Sequence, residues 1–384
     1  MGADSEISLY IHFPFCKQKC SYCDFTSFPY RKERVNEYVK KVCKEITAQG
    51  RVFNHCTVNT IYIGGGTPSL IPENLLGTLF NVIRTSFNVR HGIEISIEAN
   101  PGTFDSKSVD SWLEQGINRV SIGVQSFDDS ILKQIGRIHN RQQAIDALRM
   151  IKSAGLVNYN IDLIYGLPTQ SSAQWEETLT VAMELEPTHL SAYQLIIEDN
   201  TKLHYQLKDS ISKTVPDESA IEEMEKTTGE IVSKAGMSQY EVSNYAVKGY
   251  ECKHNIAYWQ CKPYLGIGCS AHSYMNGERF FNTPSLTGYM FQNEEVKHEA
   301  LTVDRSEKMF ERIMLGLRMR SGVDLDRFEE DFQILPEYVW PKSYTTFSDR
   351  GYAFVENNHW KLTSSGLSVM NSLLVMLLSE MEKN

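Results

Sequence analysis

The sequence has no apolar run long enough to cross a membrane, no export signal and no excess of basic residues. Each absence removes a class of function. A membrane span needs roughly 18 consecutive apolar residues, and the nearest approach, Leu373–Leu378, sits in an amphipathic C-terminal segment. The opening stretch MGADSEISLY has no basic region leading into an apolar one, so it does not read as a signal peptide, and a cytoplasmic location is expected. The formal net charge is −10, and no basic stripe is present to neutralise the phosphates of a nucleic acid. With no export signal, the eight cysteines read as reduced thiols or metal ligands rather than disulfides. What remains is an ordinary globular mix, 41% hydrophobic and 22% charged over 384 residues, enough for one large domain and a smaller one.

Short strand-like runs alternate with longer helical patterns. Strands are expected at Ile7–Phe13, Asn59–Gly66, Ile93–Pro101, Arg119–Phe127, Tyr159–Pro168 and His189–Ile197. Helices are expected between them at Glu33–Gln49, Pro72–Thr85, Ser106–Gln115, Arg141–Ala154 and Ser172–Leu185, with Gly116, Gly155 and Pro187 marking the stops. Such alternation implies a parallel sheet with right-handed crossovers. Six units predict an incomplete (β/α)6 barrel, an α/β fold. Five of the strands run into polar or glycine-rich signatures: the cysteines, GGGTP, Glu98, Gln125 and Asp162. In parallel barrels the active site lies at the C-terminal strand ends, so five separate stretches point to one place. The expected domains are 1–288, with the barrel over about 1–235 and a Gly- and aromatic-rich extension, a polar crossover at 289–305, and a C-terminal unit at 306–384. In that last unit Tyr352–Glu356 and His359–Leu362 flank Asn357-Asn358, a hairpin signal, and Thr363 caps a final helix, predicting a small winged-helix-like domain that covers or docks rather than binds DNA.

The densest chemistry is CKQKCSYCDF, with Cys16, Cys20 and Cys23 spaced C-x₃-C-x₂-C directly after the first strand. Zinc prefers a closed set of four ligands, and His12 is the available fourth. The other reading is a [4Fe–4S] cluster, which thiolates hold well and which three of them leave with one open iron. The remaining cysteines, Cys43, Cys56, Cys252, Cys261 and Cys269, have no metal spacing and read mostly as buried apolar residues. In IYIGGGTPSL, Gly64–Gly66 permit a close backbone approach to a ligand, and the spacing is not that of a dinucleotide-binding loop.

These stretches resemble the radical S-adenosylmethionine (SAM) superfamily. There the amino and carboxylate groups of SAM chelate the open iron, and an electron from the reduced cluster cleaves the sulfonium to a deoxyadenosyl radical. YIHFPFC, GGGTP, EANP, GVQSF, GRIHNRQQA and NIDLIYGLP, with LGLRMRSGVDL near the C-terminus, are similar to the oxygen-independent coproporphyrinogen III oxidase-like family over nearly the whole chain. The resemblance implies a [4Fe–4S] cluster on Cys16, Cys20 and Cys23. It implies SAM contacts at Tyr10, Tyr22, Gly65, Gly66, Thr67 and Glu98, and a second SAM region at Gln125, Arg137, Asp162 and Ile196.

One departure is informative. The oxidases carry a fourth cysteine two residues after the third, and Phe25 stands there in this chain. Together with HNIAYW, His254 to Trp259, this resembles the HemW-type haem chaperone branch. That branch implies haem as ligand, acceptor haem proteins and a reductant for the cluster as partners, and His254 as a haem ligand beside Tyr258 and Trp259, with His139, His272, Cys261 and Cys269 as other candidates. The competing expectation is a radical enzyme: an oxidase decarboxylating coproporphyrinogen III propionates, or a related methyltransferase.

Overall fold

A computed structural model describes residues 6–208, 214–291 and 298–381. Six parallel strands follow one another across the sheet in chain order: β1 (Glu6–Phe13), β2 (Thr57–Gly65), β3 (Asn88–Ala99), β4 (Arg119–Gln125), β5 (Tyr159–Tyr165) and β6 (His189–Gln194). Helices α1 (Lys32–Val52), α2 (Glu73–Ser86), α3 (Ser106–Glu114), α4 (Asp129–Gln134), α5 (Arg141–Ser153) and α6 (Ser172–Glu184) make the crossovers. Capping boxes built on Asp105, Asn140 and Ser171 start α3, α5 and α6. The expected strands and helices are present with ends shifted by a few residues. Helix α4, which follows the polar end of β4, was not anticipated.

The sheet stays open. Beyond β1 it continues through Tyr264–Ile267, which pairs parallel with β1, then His272–Met275, Glu278–Phe281 and His298–Thr302, all antiparallel. Beyond β6 it continues through Asn244–Ala246 and Ser238–Gln239. Within the expected crossover at 289–305 lie the end of a helix, Leu286–Phe291, and an edge strand that pairs with Glu278–Phe281, while 292–297 lie outside the described residues.

Alternation along each strand decides where the core sits. Ile7, Leu9, Ile11 and Phe13 of β1, Val120, Ile122 and Val124 of β4, and Ile161 and Leu163 of β5 are buried outward against the helices in one continuous cluster. Their alternates face the lumen and are largely polar: Ser8, Tyr10 and His12; Thr60 and Tyr62; Glu94, Ser96 and Glu98; Arg119, Ser121 and Gln125; Asn160 and Asp162; His189, Ser191 and Tyr193. The barrel is thus oily between strands and helices and polar inside.

The C-terminal unit has its own core around Phe328, Trp340, Phe347 and Trp360. Its three-stranded sheet joins Val323–Asp324, His359–Leu362 and Ala353–Glu356. Asn357 and Asn358 have φ of 50° and 59°, the left-handed pair a two-residue hairpin requires. Thr363 Oγ1 accepts from Gly366 N at 3.0 Å, capping the helix that follows.

Candidate functional site

The C-terminal ends of the six strands surround a cavity of about 520 Å3. Of the expected site residues, Cys16, Cys20, Tyr22, Cys23, Gly65, Gly66, Thr67, Glu98, Gln125, Arg137 and Asp162 all line it. Phe25, 67% exposed, stands at its mouth.

The cysteine loop is pinned at both ends. Strand Phe15–Cys16 pairs with Phe28–Pro29, and Phe28 N and Tyr30 N donate to Pro14 O and Cys16 O at 2.7 and 2.9 Å. Its middle docks on the end of α4 through Ser21 N to Ile135 O at 3.0 Å and Gln18 Nε2 to Gly136 O at 3.0 Å. The three thiols are half-buried, and burial raises those of Cys16 and Cys23 above the ordinary thiol value. Two donors aim at sulfur: Thr67 Oγ1 at Cys16 Sγ and Arg137 Nη1 at Cys20 Sγ, each at 3.4 Å. Among the described residues, no three Cys, His, Asp or Glu side chains converge on a single ion. Three soft sulfurs spread along one loop, with hydrogen-bond donors behind them, suit a cluster, in which each thiolate takes a different iron.

Glu98 organises the neighbouring wall. Its Oε2 accepts from Gly65 N at 2.9 Å and its Oε1 from the Tyr62 hydroxyl at 3.0 Å. Burial, reinforced by the charge of Asp162, pushes its carboxyl up to about 7. Asp162 accepts from Ser121 Oγ at 3.0 Å and Asn160 Nδ2 at 2.7 Å, and burial raises it too. Gln125 ends β4 with φ of 71°, a conformation strained for any residue but glycine. Arg137 also donates to Asn100 Oδ1 at 2.7 Å and to Gly123 O, tying the cysteine loop to β3 and β4. It is therefore a half-buried tie.

Three groups of expected residues sit in local geometry that the sequence did not show. Gly65 and Gly66 do not present free N–H groups to a ligand: Gly65 N is held by Glu98, and Gly66 N donates to Phe13 O at 2.8 Å. What they allow is close chain approach, since a Cβ on Gly65 (φ 114°) would stand 2.5 Å from the His12 ring and one on Gly66 2.9 Å from Phe15 N. Tyr10 and Ile196 do not line the cavity; Tyr10 bonds His12 Nδ1 at 2.9 Å inside the lumen, and Ile196 is 68% exposed beyond β6. His254 lies at the opposite end of the barrel. The helix Lys253–Trp259 plugs that end, and His254 is 1% exposed with Nδ1 on Thr60 Oγ1 and Nε2 on the Tyr258 hydroxyl, both at 2.8 Å. Burial drives it down to about 3. As placed here, both ring nitrogens are hydrogen-bonded and the side chain has no solvent access. His139 is 4% exposed with Nε2 on Val124 O at 3.2 Å, and Cys269 is buried with its thiol on Thr283 O at 3.3 Å. His272 is exposed and stacks on Phe281.

Sequence reasoning missed Asn100, Arg119, Ser121, Asn160, Ser191 and Tyr193, all in the cavity wall. The signal was legible: in RVSIGVQ every second residue is polar or glycine, and in NID the two polar residues flank an apolar one. Arg119 is 2% exposed with Nε unpartnered, a buried cation in the cavity floor.

Residues 10–182 match the Radical SAM superfamily and residues 303–369 the HemN C-terminal domain. In fold the chain is similar to coproporphyrinogen III oxidase (HemN) from Escherichia coli, with a TM-score of 0.86 at 21% identity, covering 98% of this chain and 90% of that one. The fold and cysteine site are those of a radical SAM protein, whose cofactors are a [4Fe–4S] cluster and SAM.

Heme chaperone HemW of Haemophilus influenzae is 35% identical over 97% of this chain and 98% of its own length. Heme chaperone HemW of Escherichia coli is 36% identical over 97% and 98%, and that of Bacillus subtilis 31% over 97% and 100%. The chain belongs to the HemW family.

Proposed function

We propose that this chain is a haem chaperone: it binds haem and passes it to acceptor haem proteins. The observation that carries this is the full-length similarity to HemW proteins, 35% over 97% of the chain. Phe25, apolar and 67% exposed where the oxidases carry a fourth cysteine, supports it. In this reading Cys16, Cys20 and Cys23 hold the cluster. Tyr22, Thr67, Glu98, Gln125, Arg137 and Asp162 form the SAM-facing wall. Glu98 orients the Gly65 strand end and offers a carboxylate to hydroxyl groups. When bound, the cluster supplies one electron at a time. The reading includes a cytoplasmic location and a reductant as partner; no helix among the described residues is long and apolar enough to cross a membrane.

The second reading, an oxidase or a related methyltransferase, draws on the convergence of Gln125, Arg137 and Asp162 on the cavity. One experiment separates the two. The cluster is reconstituted without oxygen, haemin is titrated in, and the loaded protein is mixed with an apo haem protein. A Soret shift saturating at one haem per chain, followed by transfer, is expected. Turnover of coproporphyrinogen III with no haem uptake refutes the chaperone.

A further inference from the structure

We propose that Arg318 of the C-terminal unit is a positioning residue for haem exchange: by clamping Trp259 it decides when Tyr258 leaves His254 and the imidazole becomes free for iron. The inference rests on the haem-chaperone reading, with His254 as the haem ligand, and adds a control over that ligand.

Two motifs far apart in the chain meet here. HNIAYW supplies Trp259 and LGLRMRSGVDL supplies Arg318, whose guanidinium carbon lies 5.6 Å from the centre of the Trp259 ring. A guanidinium over an indole face at that range is a cation–π contact. Arg318 also faces Glu241, whose carboxyl burial raises to about 7 and the Arg318 charge draws back down. Two further ties link the units. Arg320 N donates to Tyr240 O at 2.9 Å, and the Tyr240 hydroxyl accepts from Cys252 N, just ahead of the helix, at 3.3 Å. At the other end Tyr258 packs edge-on against Tyr264, with ring centres 4.6 Å apart. Tyr264 sits beside Arg279, which pairs with Glu311 of the helix Arg305–Gly316 at 2.9 Å.

The two ends of the helix are held differently. Glu94 receives the N–H groups of Lys253 and His254 at 2.9 and 3.1 Å, which anchors the first turn. The last turn, with Tyr258 and Trp259, depends on the C-terminal unit. A helix of seven residues is too short to be stable by itself, so its ties set how often it opens. Swinging the last turn outward withdraws the Tyr258 hydroxyl from His254 Nε2, while Nδ1 stays on Thr60 Oγ1. With Nδ1–H donated to Thr60, Nε2 carries the lone pair. A ligating imidazole is commonly oriented in this way, through the N–H of its other nitrogen.

The shut arrangement is lightly held. Trp259 Nε1 is buried without an acceptor among the described residues, and an unmade buried hydrogen bond offsets part of what the cation–π contact contributes. Opening therefore restores a lost hydrogen bond to water at the same moment as it breaks the clamp. Because the clamp joins two units with separate cores, a small shift of the C-terminal unit is enough to change it.

The test compares full-length, cluster-loaded wild type with Arg318→Ala, Arg318→Lys, Trp259→Leu and the double variant Arg318→Ala/Trp259→Leu. Deuterium uptake by residues 252–261 reports opening of the helix, with β4 as the internal control. Transfer of bound haem to an apo haem protein reports release. Arg318→Ala should speed both by roughly 2- to 30-fold, with the Soret position of the loaded protein unchanged. Arg318→Lys should restore most of the wild-type behaviour. Trp259→Leu breaks the same contact without touching the C-terminal core, so it should match Arg318→Ala, and the double variant should go no further. Wild-type rates in both single variants, additive effects in the double variant, or a helix that opens faster without faster haem release each refute the clamp while the chaperone reading stands. If wild type takes up no haem, the chaperone reading itself fails.

Discussion

Glu98→Gln isolates one buried titration. In wild type the carboxyl is raised from an ordinary 4.5 to about 7, chiefly by burial. A folded-state value above the unfolded one means that the native protein holds its proton longer. The contribution to stability is therefore full below about 4.5 and is lost as pH rises through about 7. At roughly 1.4 kcal/mol per pKa unit, the rise amounts to about 3 kcal/mol. Glutamine cannot ionise, and it keeps one acceptor for either Gly65 N or Tyr62 OH, losing the other bond at a cost of about 1 kcal/mol. Other buried groups titrate in the same range, including Glu241, raised to about 7, and His12, lowered to about 4. They cancel in the difference between the two proteins. Urea unfolding of both, without cofactors, at half-unit steps from pH 5 to 8 should show the variant gaining on wild type by about 3 kcal/mol as pH rises. A difference that stays flat refutes the buried titration. SAM binding adds a second readout: hydroxyl donors favour the ionised carboxylate, so affinity should climb with pH through about 7 in wild type and stay level in the variant.

Other residues make separate predictions. Cys20→Ser should abolish the broad absorbance and the iron content of the reconstituted protein; iron retained at wild-type stoichiometry refutes its ligand role. Arg137→Met removes the donor to Cys20 Sγ and should move the cluster potential to more negative values, read by anaerobic redox titration. Gly65→Ala places a Cβ 2.5 Å from the His12 ring at φ of 114°, and should cost about 2–4 kcal/mol in chemical denaturation. Trp360→Ala empties the centre of the C-terminal core, where the indole is 1% exposed and stacks on Phe347. A loss of about 3–5 kcal/mol should appear as early proteolysis of that unit while the cluster spectrum persists.

The alternation of strands and helices, the incomplete barrel and the meeting of five strand ends at one cavity were all legible, because they rest on local periodicity and on the rule that parallel strands present their C-terminal ends together. The role of His254 was not. HNIAYW carries polar and aromatic groups that suit a haem pocket or a buried plug equally well. Its partner Thr60 lies about 190 residues away along the chain, so this bond is invisible in the motif. Arg137 was legible as a site residue, but not its bonds to Cys20, Asn100 and Gly123, which come from three separate stretches of chain. The edge strand His298–Thr302 stayed hidden because His, Glu and Thr mask its alternation, and pairing with Glu278–Phe281 overrides propensity.

The plug has a consequence for timing. Glu94 receives the N–H groups of Lys253 and His254 across some 160 positions of chain. The cysteine loop is complete by residue 30, yet the barrel floor is missing until about 220 further residues are made, roughly 10–45 s of synthesis at about 5–20 residues per second. During that interval the polar lumen is flooded from below and nothing supports Tyr62 and Glu98 from beneath. Iron and sulfide are therefore expected to be retained by the finished polypeptide and not by the nascent one. Chains stopped before Glu251 and reconstituted in parallel should surrender iron to a chelator faster than the full chain; equal rates would show that the cysteine loop matures without its floor.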